Sequence, residues 1–155
     1  MKTISEEGLK RIIAFEGLRL NAYLCPAGIW TIGVGHTGSV DGVPISRGMK
    51  ITSIKAVEIL REDTQLVELY LNRQPFTPRL TQGMYDALVS FIFNIGKSAF
   101  ETSTMRKLLC IGATPEEVSK QFSKWVFGTI NGKKEQLAGL VKRREAERRM
   151  FLSSV

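Results

Sequence analysis

Glu16, Cys25, Thr31 and His36 fall within one short stretch near the N-terminus, and each side chain could do chemistry. Leu9, Ile12, Ile13 and Glu16 recur at the spacing that puts them on one helix face, so a carboxyl group ends an apolar stripe. That placement suits a general acid. A donor to a leaving oxygen must hold its proton near neutral pH, and apolar surroundings favour the neutral form. The alternative is a helix-terminal glutamate paired with a neighbour such as Arg19. Cys25 is either a small buried apolar residue or, as a thiolate, a charge stabiliser and nucleophile. A thiol peptidase built on Cys25 and His36 would draw its pair from distant parts of a fold, whereas these two share one hairpin and the loop after it. His36 is therefore expected to be structural, hydrogen-bonded in the hairpin or paired with an acid such as Asp63.

The elements that must position these residues follow from pattern. Residues 4–16 predict a helix stopped by Gly17. Ala22–Cys25 and Ile29–Ile32, separated by Pro26-Ala27-Gly28, predict a β-hairpin that brings Cys25 close to Trp30 and Thr31. Thr31 could be no more than a strand residue, and Trp30 could stack on a sugar or fill the hairpin core. Gly33, Gly35, Gly38 and Gly42 mark a loop running to about Gly48. A long helix runs from near Thr52 to Asn72, burying Val57, Leu60, Thr64, Val67 and Leu71, and Pro75 and Pro78 end it. Met84, Leu88, Phe91, Ile92 and Ile95 share a helix face closed by Gly96. A shorter helix covers Ser103–Cys110, with Cys110 as a core residue. Thr114-Pro115-Glu116-Glu117 is a capping box that opens a helix whose stripe is Val118, Phe122, Trp125 and Val126. A last basic helix spans Leu137 to Leu152. The fold class is α+β and mostly helical, a single domain over 1–155. Its N-terminal lobe covers about 1–52 with helix and hairpin, a connecting helix about 52–72, and a helical C-terminal lobe about 73–155.

Bulk properties narrow the chemistry. The chain has 155 residues, 43% hydrophobic and 24% charged, enough for one packed core. Its net charge of +7 favours an anionic partner. One histidine and two cysteines make a catalytic zinc site improbable, so no metal or other cofactor is expected. A disulfide between Cys25 and Cys110 would disable the hairpin reversibly, but a reducing compartment opposes it. In the basic run Lys142, Arg143, Arg144, Arg148 and Arg149, the glutamates Glu145 and Glu147 intervene and base-stacking aromatics are missing. A solvated helix face drawn to an acidic wall is expected there, not a nucleic-acid site. No run reaches the roughly 20 apolar residues that span a bilayer, and the acidic start lacks a signal segment.

Residues 16–37, Glu-Gly-Leu-Arg-Leu-Asn-Ala-Tyr-Leu-Cys-Pro-Ala-Gly-Ile-Trp-Thr-Ile-Gly-Val-Gly-His-Thr, closely resemble the active-site signature of phage-type lysozymes, the endolysins of glycoside hydrolase family 24. That signature has a glutamate, an aspartate or cysteine nine residues on, and a threonine six further, which are the spacings of Glu16, Cys25 and Thr31. Asp86–Gly96 is similar to the family's central helix, with Asn94 at the amide position that lines the sugar cleft. Phe100 with Ser103-Thr104, and Gly139-Leu140 with Arg143–Arg148, resemble the segments that follow, so the likeness covers nearly the whole chain.

The resemblance implies a lysozyme-like fold and a muramidase that hydrolyses the β-1,4 bond between N-acetylmuramic acid and N-acetylglucosamine, lysing the bacterial host. Glu16 would protonate the glycosidic oxygen, Thr31 would help hold the attacking water, and Cys25 would replace the aspartate of better-known members. Asn94, and Trp30 if it stacks, would bind the glycan in a cleft between the lobes. Either inversion or retention is compatible with the cysteine form. The partner is bacterial peptidoglycan, met as a monomer without stable membrane insertion. The enzyme would wait in the host cytoplasm until a separate pore-forming protein gave it access to the wall. Two rival readings are a lytic transglycosylase and a peptidoglycan-binding module without catalysis.

Overall fold

The computed structural model describes residues 1–153; positions 154–155 of the expected domain lie outside them. Two compact units are present, Leu9–Leu66 and a second made of Met1–Gly8 with the chain from Val67 onward. Helices α1 (Glu6–Glu16) and α2 (Ser53–Asn72) each contribute to both. Among the described residues no helix is long and apolar enough to cross a membrane.

In the unit Leu9–Leu66, Leu9 and Ile12 are buried and Ile13 and Glu16 half-buried, so the carboxylate does end a sheltered stripe. The Gly17 amide donates to the Ile13 carbonyl at 2.8 Å and closes α1. Strand β1 (Arg19–Leu24) pairs antiparallel with β2 (Trp30–Gly33), with Tyr23 opposite Thr31 and Leu24 opposite Trp30. A third strand, β3 (His36–Thr37), adds to β2 with His36 opposite Ile32, so the expected hairpin is a three-stranded sheet. Two more short strands, β4 (Ser39–Val40) and β5 (Val43–Pro44), occupy the expected loop. Thr52 caps α2, its hydroxyl accepting from the Lys55 amide at 3.1 Å. Leu60 and Thr64 are buried on α2 as expected, joined in this unit by Ala56 and Ile59, whereas Val57 is only half-buried.

The other unit is built around α3 (Gln82–Ile95). Every residue from Tyr85 to Ile92 is buried, so this helix is covered on all sides and not along one stripe. Met84 and Ile95, at the ends of the expected stripe, are only half-buried. The N-terminal segment is tied to it: the Ser5 amide donates to Asp86 at 3.0 Å, and the Tyr85 hydroxyl to the Lys2 carbonyl at 3.0 Å. After α4 (Lys97–Glu101), Ser103 caps α5 (Thr104–Cys110). Cys110 is exposed, contrary to expectation, because Met105 and Leu109, four apart, take the buried face and the next residue turns outward. Thr114 caps α6 through the Glu117 amide, as the capping box requires, but α6 ends at Ser119.

From there the chain departs from the expected helices. It passes through a single 3-10 turn at Phe122–Lys124 into an antiparallel hairpin of β6 (Phe127–Ile130) and β7 (Lys133–Gln136). Val118, Phe122 and Val126 are still buried, but on an irregular path. The signal for this hairpin is Asn131-Gly132, whose φ values of 50° and 77° are those of a two-residue turn matched to strand twist.

Helix α7 (Ala138–Leu152) corrects the expectation of a solvated basic face. Lys142 and Arg149 do face outward, but Arg143, Arg144 and Glu147 are 5%, 2% and 0% exposed. Their spacing brings both guanidinium groups onto one carboxylate, with Arg143 Nε 3.3 Å from Glu147 Oε2 and Arg144 paired to Oε1. The Ser90 hydroxyl on α3 donates to Glu147 at 2.5 Å, and Arg143 donates to the Ser90 carbonyl at 3.0 Å. Burial is tolerable because the carboxylate offsets part of the two positive charges and all three groups are hydrogen-bonded. Removing the carboxylate takes a shared charge partner from two buried cations, so Glu147→Ala is expected to lower unfolding free energy by about 3–5 kcal/mol. Urea denaturation measures it, and an unchanged midpoint would show that the cluster does not hold the unit together.

Candidate active site

Strand β2 and the turns at its two ends organise the residues singled out by sequence. Before it, the Cys25 amide donates to the Ile29 carbonyl at 3.0 Å and the Gly28 amide to the Cys25 carbonyl at 2.8 Å. This tight turn gathers hydrogen-bond donors around the Cys25 sulfur. Backbone hydrogen bonding from Ile29 is the main influence that holds the thiol below its ordinary pKa; partial burial opposes it, and Ala27 and the Thr31 hydroxyl add to it. Thr31 is 3% exposed, and its one hydroxyl proton is shared between two acceptors, the Ile29 carbonyl at 2.9 Å and the Cys25 sulfur. With that proton engaged, its oxygen keeps free lone pairs. Trp30 is half-buried beside it.

After β2 the chain turns at Gly35, whose φ is +66°. A Cβ built there would lie 3.3 Å from Glu16 Oε2. A glycine is needed both for the left-handed backbone and for the approach of this loop to the carboxylate. The strand that carries Thr31 thus also leads into the loop that meets Glu16.

His36, on β3, is the clamp of this sheet. Its Nδ1 lies 2.8 Å from Asp63 Oδ2 on α2, and its Nε2 lies 2.8 Å from the Ser39 carbonyl. Both partners accept, so only a ring protonated on both nitrogens satisfies them together, and the arrangement favours the cation. Burial pushes its pKa down, but the Ser39 carbonyl and the Asp63 carboxylate together outweigh this and raise it. The ring is engaged away from Cys25, which leaves the thiol peptidase without its base.

In the other unit, Asn94 is exposed near the end of α3 and lines a groove of about 670 Å³ with Gln121, Lys124, Trp125, Lys134 and Arg144. The Asn94 side-chain oxygen accepts a hydrogen bond from Arg144. Sequence reasoning missed Arg144 as part of this groove, along with Lys134 on the unforeseen hairpin. The spacing of Arg143 and Arg144 to Glu147 was the available signal. Both cysteines are free thiols, and among the described residues no cluster of histidine, cysteine and acidic side chains could hold a metal ion.

Comparison with known proteins agrees with this architecture. The phage lysozyme family profile matches residues 13–147. The chain is 47% identical to the endolysin of Acyrthosiphon pisum secondary endosymbiont phage 1, covering 97% of this chain and 99% of that one. It is 44% identical to the endolysin of Salmonella phage P22, over 99% and 100%. Among solved structures, a point mutant of P22 lysozyme superposes with a TM-score of 0.84 at 42% identity, covering 99% and 100% of the two chains. The endolysin from Escherichia coli O157:H7 phage FAHEc1 gives 0.89 at 38% identity, covering 99% and 96%.

Two titrations test the electrostatics. In a Cys110→Ser variant, thiolate absorbance should report a Cys25 pKa below that of an unstructured cysteine, and Thr31→Val should move it upward; a value at or above the unstructured one contradicts the geometry. Because the folded-state pKa of His36 lies above its unfolded value, its stabilisation is complete below about pH 6.5 and is lost as pH rises through the folded value. Urea unfolding across that range should show the decline in wild type and not in Asp63→Asn.

Proposed function

The chain belongs to the phage lysozyme family, the endolysins that degrade peptidoglycan, and we propose that it is a muramidase hydrolysing the β-1,4 bond between N-acetylmuramic acid and N-acetylglucosamine. The observation that carries this reading is strand β2 and its flanks, where Thr31 reaches the Cys25 sulfur and the following loop reaches Glu16. In the reaction, Glu16 gives its proton to the glycosidic oxygen as the bond to the anomeric carbon breaks. Cys25, whose ionised form the turn amides favour, stabilises as the thiolate the positive charge that builds on that carbon. Thr31 accepts a hydrogen bond from water and aims a water lone pair at the carbon; as that oxygen bonds to the carbon, the water's proton passes to a base at the site, the Cys25 sulfur or the Glu16 carboxylate left by the first step. Asn94 is a substrate-binding residue, and His36 supports the sheet. The reading includes lysis of the host by a monomeric enzyme, with a separate pore-forming protein giving access to the wall.

Turbidity clearing and reducing-end release from purified walls test the assignment. Glu16→Gln should lose at least about a hundredfold, as expected for removal of a general acid. Cys25→Asp should remain active, since a carboxylate also supplies an anion, whereas Cys25→Ala should fall well below it. Clearing by Glu16→Gln at the wild-type rate would end the proposal. Anhydromuramic ends without added water, seen by mass spectrometry, would favour a transglycosylase, and wall pelleting without clearing would mark a binding module.

A further inference from the structure

We propose that Arg144, held by Glu147, is a positioning residue that turns the side-chain amide of Asn94 so that its NH2 group is offered to an acceptor oxygen of the substrate. The inference rests on the reading of Asn94 as a substrate contact. Arg144 is 2% exposed, and three of its nitrogens have separate acceptors: Nε donates to the Trp125 carbonyl at 2.9 Å, Nη1 to Glu147, and Nη2 to Asn94 Oδ1. Its guanidinium carbon lies 5.0 Å from the centre of the Phe91 ring. Glu147 is in turn fixed by Ser90 and Arg143.

A guanidinium donates and never accepts, so only the oxygen of the Asn94 amide can face it. The NH2 group must then point away from Arg144, on a residue that lines the groove. An exposed asparagine without such a partner turns its amide over at little cost, because that terminal torsion is nearly two-fold. The buried charge cluster therefore does more than stabilise α7 against α3. It makes Asn94 a donor of fixed direction, and a substrate carbonyl or hydroxyl oxygen is selected there over an NH or ammonium group.

The test uses soluble, uncrosslinked glycan strands, with kcat and KM from reducing-end release, Kd from calorimetry, and a thermal midpoint for each protein. Wild type is compared with Asn94→Ala, Asn94→Asp, Arg144→Lys and the Asn94→Ala/Arg144→Lys pair. Loss of one substrate hydrogen bond should raise KM and Kd about tenfold in Asn94→Ala with kcat little changed. Asn94→Asp should weaken binding at least as much, because it keeps an oxygen on Arg144 but turns the donor into an acceptor. Arg144→Lys keeps a cation for Glu147 but cannot span the three acceptors, so it too should raise KM. The pair should then be no weaker than Asn94→Ala alone.

Losses that multiply to about a hundredfold would show independent roles and overturn the proposal. So would an Arg144→Lys that lowers the thermal midpoint without moving KM, or an Asn94→Asp that binds like wild type. If Arg144→Lys does not fold, the Asn94→Asp and Asn94→Ala comparison decides alone, since Asn94 is exposed. A wild type that binds strands without releasing reducing ends would sink the muramidase reading, while the Kd ratios would still judge the positioning role.

Discussion

The buried charge cluster on α7 is the constraint from which the helical unit is built. Two guanidinium groups and one carboxylate sit out of water, and desolvation alone would make that arrangement unfavourable. It persists because every contact is specific. Glu147 binds both arginines and the Ser90 hydroxyl, Arg143 also takes the Ser90 carbonyl, and Arg144 takes the Trp125 carbonyl. These bonds pin α7 to α3 at one register. They also fix the segment leading into the β6–β7 hairpin, with Phe91 packed edge-on against Phe122 and Trp125 at 5.2 and 5.9 Å between ring centres. An apolar interface of the same area could slide by a turn; a hydrogen-bonded ionic one cannot without stranding a charge.

The sheet-bearing unit is held by the same kind of economy on a smaller scale. A three-stranded sheet of two- to six-residue strands has little apolar area of its own. Ile32, Val34 and Ile45 are buried, and the His36 ring links β3 both to the next strand and to Asp63 on α2. With the strand ends fastened in this way, the two turns flanking β2 can carry tight, glycine-dependent geometry without fraying. One of those turns holds the Cys25 sulfur, and the other brings Gly35 close to the Glu16 carboxylate.

What could be read from the chain depended on distance in sequence. The placement of Glu16, Cys25 and Thr31 was legible because local rules govern it: a helix stripe, a turn, and a two-residue strand alternation. The capping residues Thr52, Ser103 and Thr114 were legible for the same reason, since a cap acts within one turn. Burial of Arg143, Arg144 and Glu147 was not, because it depends on Ser90 more than fifty residues away. Charged residues on an amphipathic helix read as solvent-facing until the partner that neutralises them is known. The β6–β7 hairpin was lost for a different reason. Its strands, Phe127–Ile130 and Lys133–Gln136, are largely exposed and β7 is wholly polar, so no apolar alternation marks them. Only the Asn131-Gly132 turn did, and it was outweighed by the apparent helical stripe before it.

The substitution of cysteine for aspartate at the second signature position follows from what the turn supplies. The amides of Ala27 and Ile29 and the hydroxyl of Thr31 converge on the side chain of residue 25, and donors stabilise an anion whatever its element. A carboxylate would be ionised there without help. A thiol needs that help, and the turn supplies it, the Ile29 backbone above all, which lowers the thiol pKa. The distinction between the two residues then lies in size and softness more than in charge. Sulfur is larger and more nucleophilic than a carboxylate oxygen, so the cysteine form has access to a covalent step that crowding at the anomeric carbon must permit or forbid. On the proposed reading, the anomer of the released sugar turns on how closely the Cys25 sulfur can approach the anomeric carbon while Thr31 holds water beside it.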